Sequence, residues 1–199
     1  PKFEEVERQH PYSELATRAQ MMAAWAFYQS NRYSQSVAAL DRFVELNPTD
    51  QMVEYAYYLK ALCYYEQIVD VERDAEMTKL ALIAFEELVR RFPNGSYARD
   101  SQLKIDLTES QLAGKEMAVG RFYLQREQYV AALRRFDIVI EDYDTTNQVP
   151  EALYRKAAVF FTLGLADQAD RIYKVAKYNY PDSPWTDRLN ILRTPPKKP

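Results

Sequence analysis

The chain has 199 residues, 47% of them hydrophobic and 28% charged, the balance of an ordinary folded domain rather than of a disordered segment. With 26 Lys and Arg against 29 Asp and Glu the net charge is −3, which excludes the clustered basic surplus of a nucleic-acid footprint. No run of about 18 apolar residues reads as a membrane-spanning helix, and a lone cysteine, Cys63, excludes an internal disulfide.

One pattern recurs along the chain. An aromatic residue or Leu stands eight residues before a proline, and an apolar or small residue stands five before it. The sets are Phe3, Val6 and Pro11; Leu40, Phe43 and Pro48; Phe85, Leu88 and Pro93; and Tyr173, Ala176 and Pro181. Phe136 and Val139 repeat it with Asp144 in the place of the proline. Self-similarity of this kind predicts an all-α fold, a tetratricopeptide-repeat (TPR) right-handed superhelical solenoid of antiparallel helix pairs.

In chain order, residues 1–12 read as the closing helix end of a truncated repeat. The repeat at 13–48 places Leu15, Ala19, Met22, Ala23, Ala26 and Phe27 at helical spacing in its first helix. After the polar break Ser30–Arg32, a second helix is expected from Ser34 to Leu46 with Val37, Leu40, Phe43 and Val44 inward. Asn47–Pro48 stops it, because a residue before proline resists helical geometry. The repeat at 49–95 opens on Ala56–Tyr65, where Ala61 marks a close helix crossing, and holds an inserted loop at about 66–74. Its second helix is expected over 74–92, with Ala81, Leu82, Phe85, Leu88 and Val89 inward.

The repeat at 96–147 has an extended first helix reaching 127, with a kink expected near Ala113–Gly114. Gly120 and Tyr123 take its close-contact and aromatic places, and Tyr129–Tyr143 is the partner helix. The repeat at 148–183 follows the pattern at Ala152, Ala157, Phe160, Gly164, Ala169, Tyr173, Ala176 and Pro181. A capping helix at 184–192 and a disordered tail at 193–199, with three prolines and two lysines, complete the chain.

Nothing in the residues assembles a reaction centre. The four glycines never approach a phosphate-cradling spacing, and His10 is the only histidine, so neither a metal cluster nor a Ser-His-Asp relay can be built in the usual way. Cys63, between Leu62 and Tyr64, reads as a buried inert thiol. The expectation is a non-enzyme with no catalytic, cofactor-binding or metal-binding residues.

Binding surfaces are the alternative source of function. In such repeats the first helix of each pair lines the groove. The outward stripe is expected to be Met21, Trp25 and Tyr28 in one repeat, and Tyr55, Tyr58 and Tyr65 in the next. Met117, Arg121 and Leu124, and then Tyr154 and Phe161, continue it. Either these side chains form an open aromatic channel for an extended or partly folded chain, or several of the rings pack between neighbouring repeats. Met21 and Trp25 stand where clamps for chaperone C-termini carry Lys and Asn, which disfavours that role. A second surface is the helix with Arg134 and Arg135 early and Asp137, Glu141 and Asp142 late, opposite to the preference of its dipole. A partner's charges could offset that arrangement, or it is a solvated face.

Longer strings are more specific than the repeat pattern. Tyr64 to Ile68, Asp70 to Asp74, Ala84 to Leu88, Pro93 to Ala98, and Leu112 through Tyr123 to Tyr129–Ala132 together resemble the BamD (YfiO/ComL) family of outer-membrane lipoproteins, the inserted loop its alphaproteobacterial members in particular. The resemblance implies five TPR units in the family, of which this chain would hold the last four, with the first repeat and the lipidated N-terminus missing. It implies a non-catalytic scaffold of the outer-membrane β-barrel assembly (BAM) complex, placed at the periplasmic face of the outer membrane. The implied partners are the POTRA domains of BamA, other BAM lipoproteins and unfolded outer-membrane β-barrel proteins. Membrane attachment would come only through the N-terminal lipid anchor, and no cofactor is implied. By position, Arg135 matches a family arginine implicated in coupling to BamA, and Phe122 and Tyr123 match an aromatic pair before it. Together with Arg134 these form the expected BamA side. Another periplasmic TPR adaptor, linked to cell division or peptidoglycan, is the alternative.

Overall fold

The computed structural model describes residues 14–68 and 75–193. Phe3, Val6 and Pro11, the insertion over 69–74 and the tail beyond Arg193 lie outside the described residues. Those described form α1 Glu14–Gln29, α2 Tyr33–Leu46, α3 Val53–Tyr65, α4 Ala75–Arg91, α5 Ala98–Gln125, α6 Tyr129–Asp142, α7 Val149–Thr162, α8 Ala166–Asn179 and α9 Pro184–Arg193. No strand occurs among them. The chain divides into two compact units after Thr108, within α5.

The helices end where backbone chemistry ends them. Asn47 and Tyr180, each before a proline, leave helical geometry at φ −131°, ψ 55° and φ −133°, ψ 57°. Tyr143, which precedes Asp144 instead, adopts nearly the same conformation at φ −129°, ψ 42°. A four-residue turn follows each time, closed by the N–H of Asp50 on the Asn47 carbonyl, of Gly95 on Phe92, of Thr146 on Tyr143 and of Ser183 on Tyr180, at 2.9 to 3.2 Å.

The turns inside three hairpins share a second device. The N–H groups of Arg32, Gln128 and Leu165 donate to the carbonyls of Phe27, Tyr123 and Phe160 at 2.8 to 3.0 Å. Inside each of these loops one residue is left-handed: Asn31 at φ 56°, Glu127 at φ 58° and Gly164 at φ 74°. This is the Schellman closure of a helix C-terminus.

In the first unit α1 pairs with α2, α2 with α3, and α3 with α4. Met21, Ala24, Leu40, Phe43, Val53, Ala56, Leu59 and Cys63 form one core cluster, and Ala61, Ala81, Phe85 and Ile105 another. Each fully buried Phe or Leu contributes roughly 1.5–3 kcal/mol through area removed from water. Ala24 lets α2 approach closely enough for the Ser36 hydroxyl to donate to the Ala24 carbonyl at 2.8 Å. Cys63 is fully buried, and burial pushes its thiol above the ordinary range.

Packing corrects the reading of α1. Leu15 and Met22, expected on its apolar stripe, are 67% and 46% exposed, whereas Ala16, Ala19, Met21 and Ala24 are buried. Met21, expected in the groove, is therefore a core residue. The small face of α1 is the one that admits α2, and it carries Met21 inward with it.

In the second unit the core joins Ala113 and Met117 of α5, Ala132, Phe136 and Val139 of α6, Ala152, Leu153 and Ala157 of α7, Ala169, Tyr173 and Ala176 of α8, and Leu189 of α9. Met117 was also expected on the outward stripe and is fully buried instead. α9 packs on α7 and α8, and the Tyr173 hydroxyl donates to Asn190 at 3.1 Å. α5 stays helical through Ala113–Gly114, without the interruption expected there.

Candidate functional site

In the first unit the expected groove rings are engaged with one another and with later residues. Tyr58 stacks on Tyr97 with centroids 4.6 Å apart, and Tyr55 meets the same ring at 5.5 Å. The Tyr58 hydroxyl donates to Asp100 at 2.6 Å. Burial first, and then this bond to a carboxylate, push the Tyr58 phenol above its ordinary value. Tyr65 packs edge-on to Phe85 at 5.9 Å, and the Lys104 ammonium lies 4.8 Å from its ring centroid. Tyr28 meets Tyr33 edge-on at 5.9 Å. These four tyrosines are half-buried, so the open channel of rings expected from the sequence is largely a set of inter-helix contacts. Trp25, 40% exposed, is the expected groove residue of this unit that remains broadly accessible.

The second unit treats Tyr154 and Phe161 similarly. Both pack against its core, and Tyr154 lies 5.3 Å from the Trp185 ring of α9. Arg121, also expected on the outward stripe, pairs with Glu151 at 3.2 Å.

The four residues expected on the BamA side fall around one feature. A groove of about 890 Å³ is lined by Tyr123, Arg134 and Arg135, with Glu127, Val130, Ile138 and Leu163 among its other walls. Phe122 stands beside it, edge-on to Tyr123 at 5.8 Å, 47% exposed and covered by the Arg126 guanidinium at 4.1 Å. Val130 is 69% exposed and Leu163 45%, so apolar surface is left in water here. Sequence reading missed both. Val130, Arg134 and Ile138 share a helix face by their spacing of four, but Leu163 arrives from the next hairpin turn.

The two arginines differ in availability. Arg135 donates from Nη1 to Glu116 Oε2 at 2.8 Å, and that bond holds its guanidinium protonated beyond its ordinary value. Arg134 is exposed and has no side-chain partner among the described residues. The reversed charge order of α6 is partly answered inside the unit, because Lys156 pairs with Asp137 at 2.5 Å.

Chemistry finds no foothold among the described residues. They hold no group of three or more His, Cys, Asp or Glu able to bind a metal, and none of their helices is long and apolar enough to cross a membrane.

Comparison with known proteins gives the same direction. The family described as "YfiO: Outer membrane lipoprotein" matches residues 1–175. The chain is 49% identical over 191 residues to the outer membrane protein assembly factor BamD of Caulobacter vibrioides, covering 96% of this chain and 63% of that protein. Identity to the factor of the same name from Rickettsia prowazekii is 44% over 184 residues, with 92% and 73% covered. For Neisseria meningitidis serogroup A it is 32% over 193 residues, with 92% and 72% covered. The chain thus spans less than two thirds of the length of the Caulobacter relative. Helical hairpins stopped at recurring prolines, and a match running from residue 1 to residue 175, lead to one conclusion: this chain belongs to the YfiO family of outer membrane lipoproteins.

Proposed function

We propose that the chain is a non-catalytic adaptor in the assembly of outer-membrane β-barrel proteins, acting at the periplasmic face of the outer membrane. The relatives named as outer membrane protein assembly factors support that setting. In this reading the groove of the second unit receives the POTRA domains of BamA, with Phe122, Tyr123, Arg134 and Arg135 as contacts. Other BAM lipoproteins and unfolded barrel proteins are the further partners, and Trp25 is the accessible aromatic contact for the latter. The lipid anchor would belong to a segment of the full-length protein outside this chain.

The observation that carries the reading is the groove itself. It combines exposed Val130 and Leu163 with an unpaired Arg134, an apolar surface beside a cation that suits a protein partner better than water. The test is a pull-down with the BamA periplasmic domain. Charge reversal at Arg134 or Arg135 should weaken capture far more than reversal at exposed Lys79, with circular dichroism verifying the fold. Equal effects at all three positions would remove the basis for this surface.

A further inference from the structure

Glu127 occupies a backbone position that its side chain disfavours. In the two sister turns the left-handed residue is Asn31 or Gly164, the types that this conformation tolerates, yet Glu127 holds φ 58°. Its placement is informative because it lines the groove together with Arg134. Neither side chain has a partner among the described residues. Their charged neighbours are committed, Arg135 to Glu116 at 2.8 Å and Arg126 to the face of Phe122 at 4.1 Å. A non-glycine outlier on the rim of an apolar groove points to function rather than to folding.

The order along this wall is acid, aliphatic, base: Glu127, Val130, Arg134. At a helical rise the seven residues from 127 to 134 span roughly 10 Å. A partner helix repeats that span between side chains at i and i+7, with i+3 or i+4 between them on the same face. An extended strand fits less well, since its same-face residues fall at roughly 6.6 or 13 Å.

From this geometry we infer that Glu127 and Arg134 determine the specificity of the groove, selecting a partner helix that presents a basic, an apolar and an acidic side chain in turn along one face. The inference rests on the groove being the partner surface proposed above.

Three labelled alanine-based helical peptides test it, differing only at the two positions flanking a central Leu: Lys with Glu, Lys with Lys, and Glu with Glu. The 199-residue chain should bind the mixed peptide about threefold more tightly than either like-charged one, the range expected of exposed ion pairs. Glu127→Lys should turn the preference to the Glu/Glu peptide, and Arg134→Glu to the Lys/Lys peptide. Glu127→Gly should raise the melting temperature by relieving the turn while losing discrimination at that end, which separates recognition from folding. Equal binding of all three peptides, no binding of any, or preferences unmoved by the variants would overturn the inference. So would concentration-dependent self-association abolished by Glu127→Lys, because a second copy would then be the occupant. If the peptides fail while the BamA periplasmic domain still binds in an Arg134-dependent way, this inference falls and the proposed function stands.

Discussion

Gly120 of α5 lies flush against the ring of Phe136 on α6. A Cβ at position 120 would stand 2.6 Å from Phe136 Cε1, and the ring is itself fully buried, so it has nowhere to retreat. Gly120→Ala should therefore destabilise the chain even though Ala is the better helix former by about 1 kcal/mol. Overpacking of a filled core costs about 1–3 kcal/mol, so a lowered urea midpoint is expected. Gly114→Ala, where an added Cβ meets nothing, should raise it.

The corrected face of α1 separates two adjacent methionines. Met21→Ala should cost about 2–4 kcal/mol, because the side chain leaves a cavity among Leu40, Phe43 and Leu59. Met22→Ala, at a position 46% exposed, should cost less than about 1 kcal/mol. Denaturant titration of the two variants would reject this packing if their order were reversed.

Asp144 occupies the turn position that is proline in three sister turns, and Tyr143 before it already has the pre-proline conformation. Asp144→Pro should stabilise the chain by about 0.4–1 kcal/mol, chiefly by narrowing the unfolded ensemble. Thermal unfolding reads the shift; a lower melting temperature would mean that the fourth turn differs from the others.

Tyr58 makes stability sensitive to alkali. Its phenol is raised above the ordinary 10.0, first by burial and then by the bond to Asp100, so the folded chain keeps this proton after the unfolded chain has released it. The contribution is intact below pH 10 and is lost as pH climbs beyond it, through the raised folded value. Tyr28, Tyr55 and Tyr143 are raised as well, with burial as the largest cause in each, and act with the same sign. Tyr58→Phe should lose about 0.5–1.5 kcal/mol at neutral pH with the hydrogen bond, yet show a shallower decline above pH 10. Urea midpoints measured across that range decide it.

Where local covalent chemistry dictates structure, the sequence was readable. Proline stops a helix wherever it falls, so Leu40 and Phe43, Phe85 and Leu88, and Tyr173 and Ala176 could be placed inward before any fold was known, and all six are buried. Phe136 and Val139 follow them although Asp144 replaces the proline. The face of α1 was not readable, because alanines at 16, 19, 23, 24 and 26 surround the helix with small groups and hydrophobic spacing then selects no side. Glu127 gave no turn signal, since neither Gly nor Asn marks its left-handed turn. The ring contacts depend on Tyr97 and Asp100, the latter 42 residues beyond Tyr58, and such a distance is bridged only by tertiary packing. The groove shares that difficulty: its α6 wall follows a simple spacing of four, but Leu163 belongs to another hairpin.

Cys63 gives this chain a built-in reporter. Sealed among Met21, Ala24, Phe43 and Leu59, the thiol can meet a reagent from solution only when those helices part. Its labelling rate therefore gauges how often the first hairpins breathe, with no engineered probe. The same enclosure keeps an oxidant away from the sulfur, so the chain can work in oxidising surroundings without being cross-linked to its neighbours.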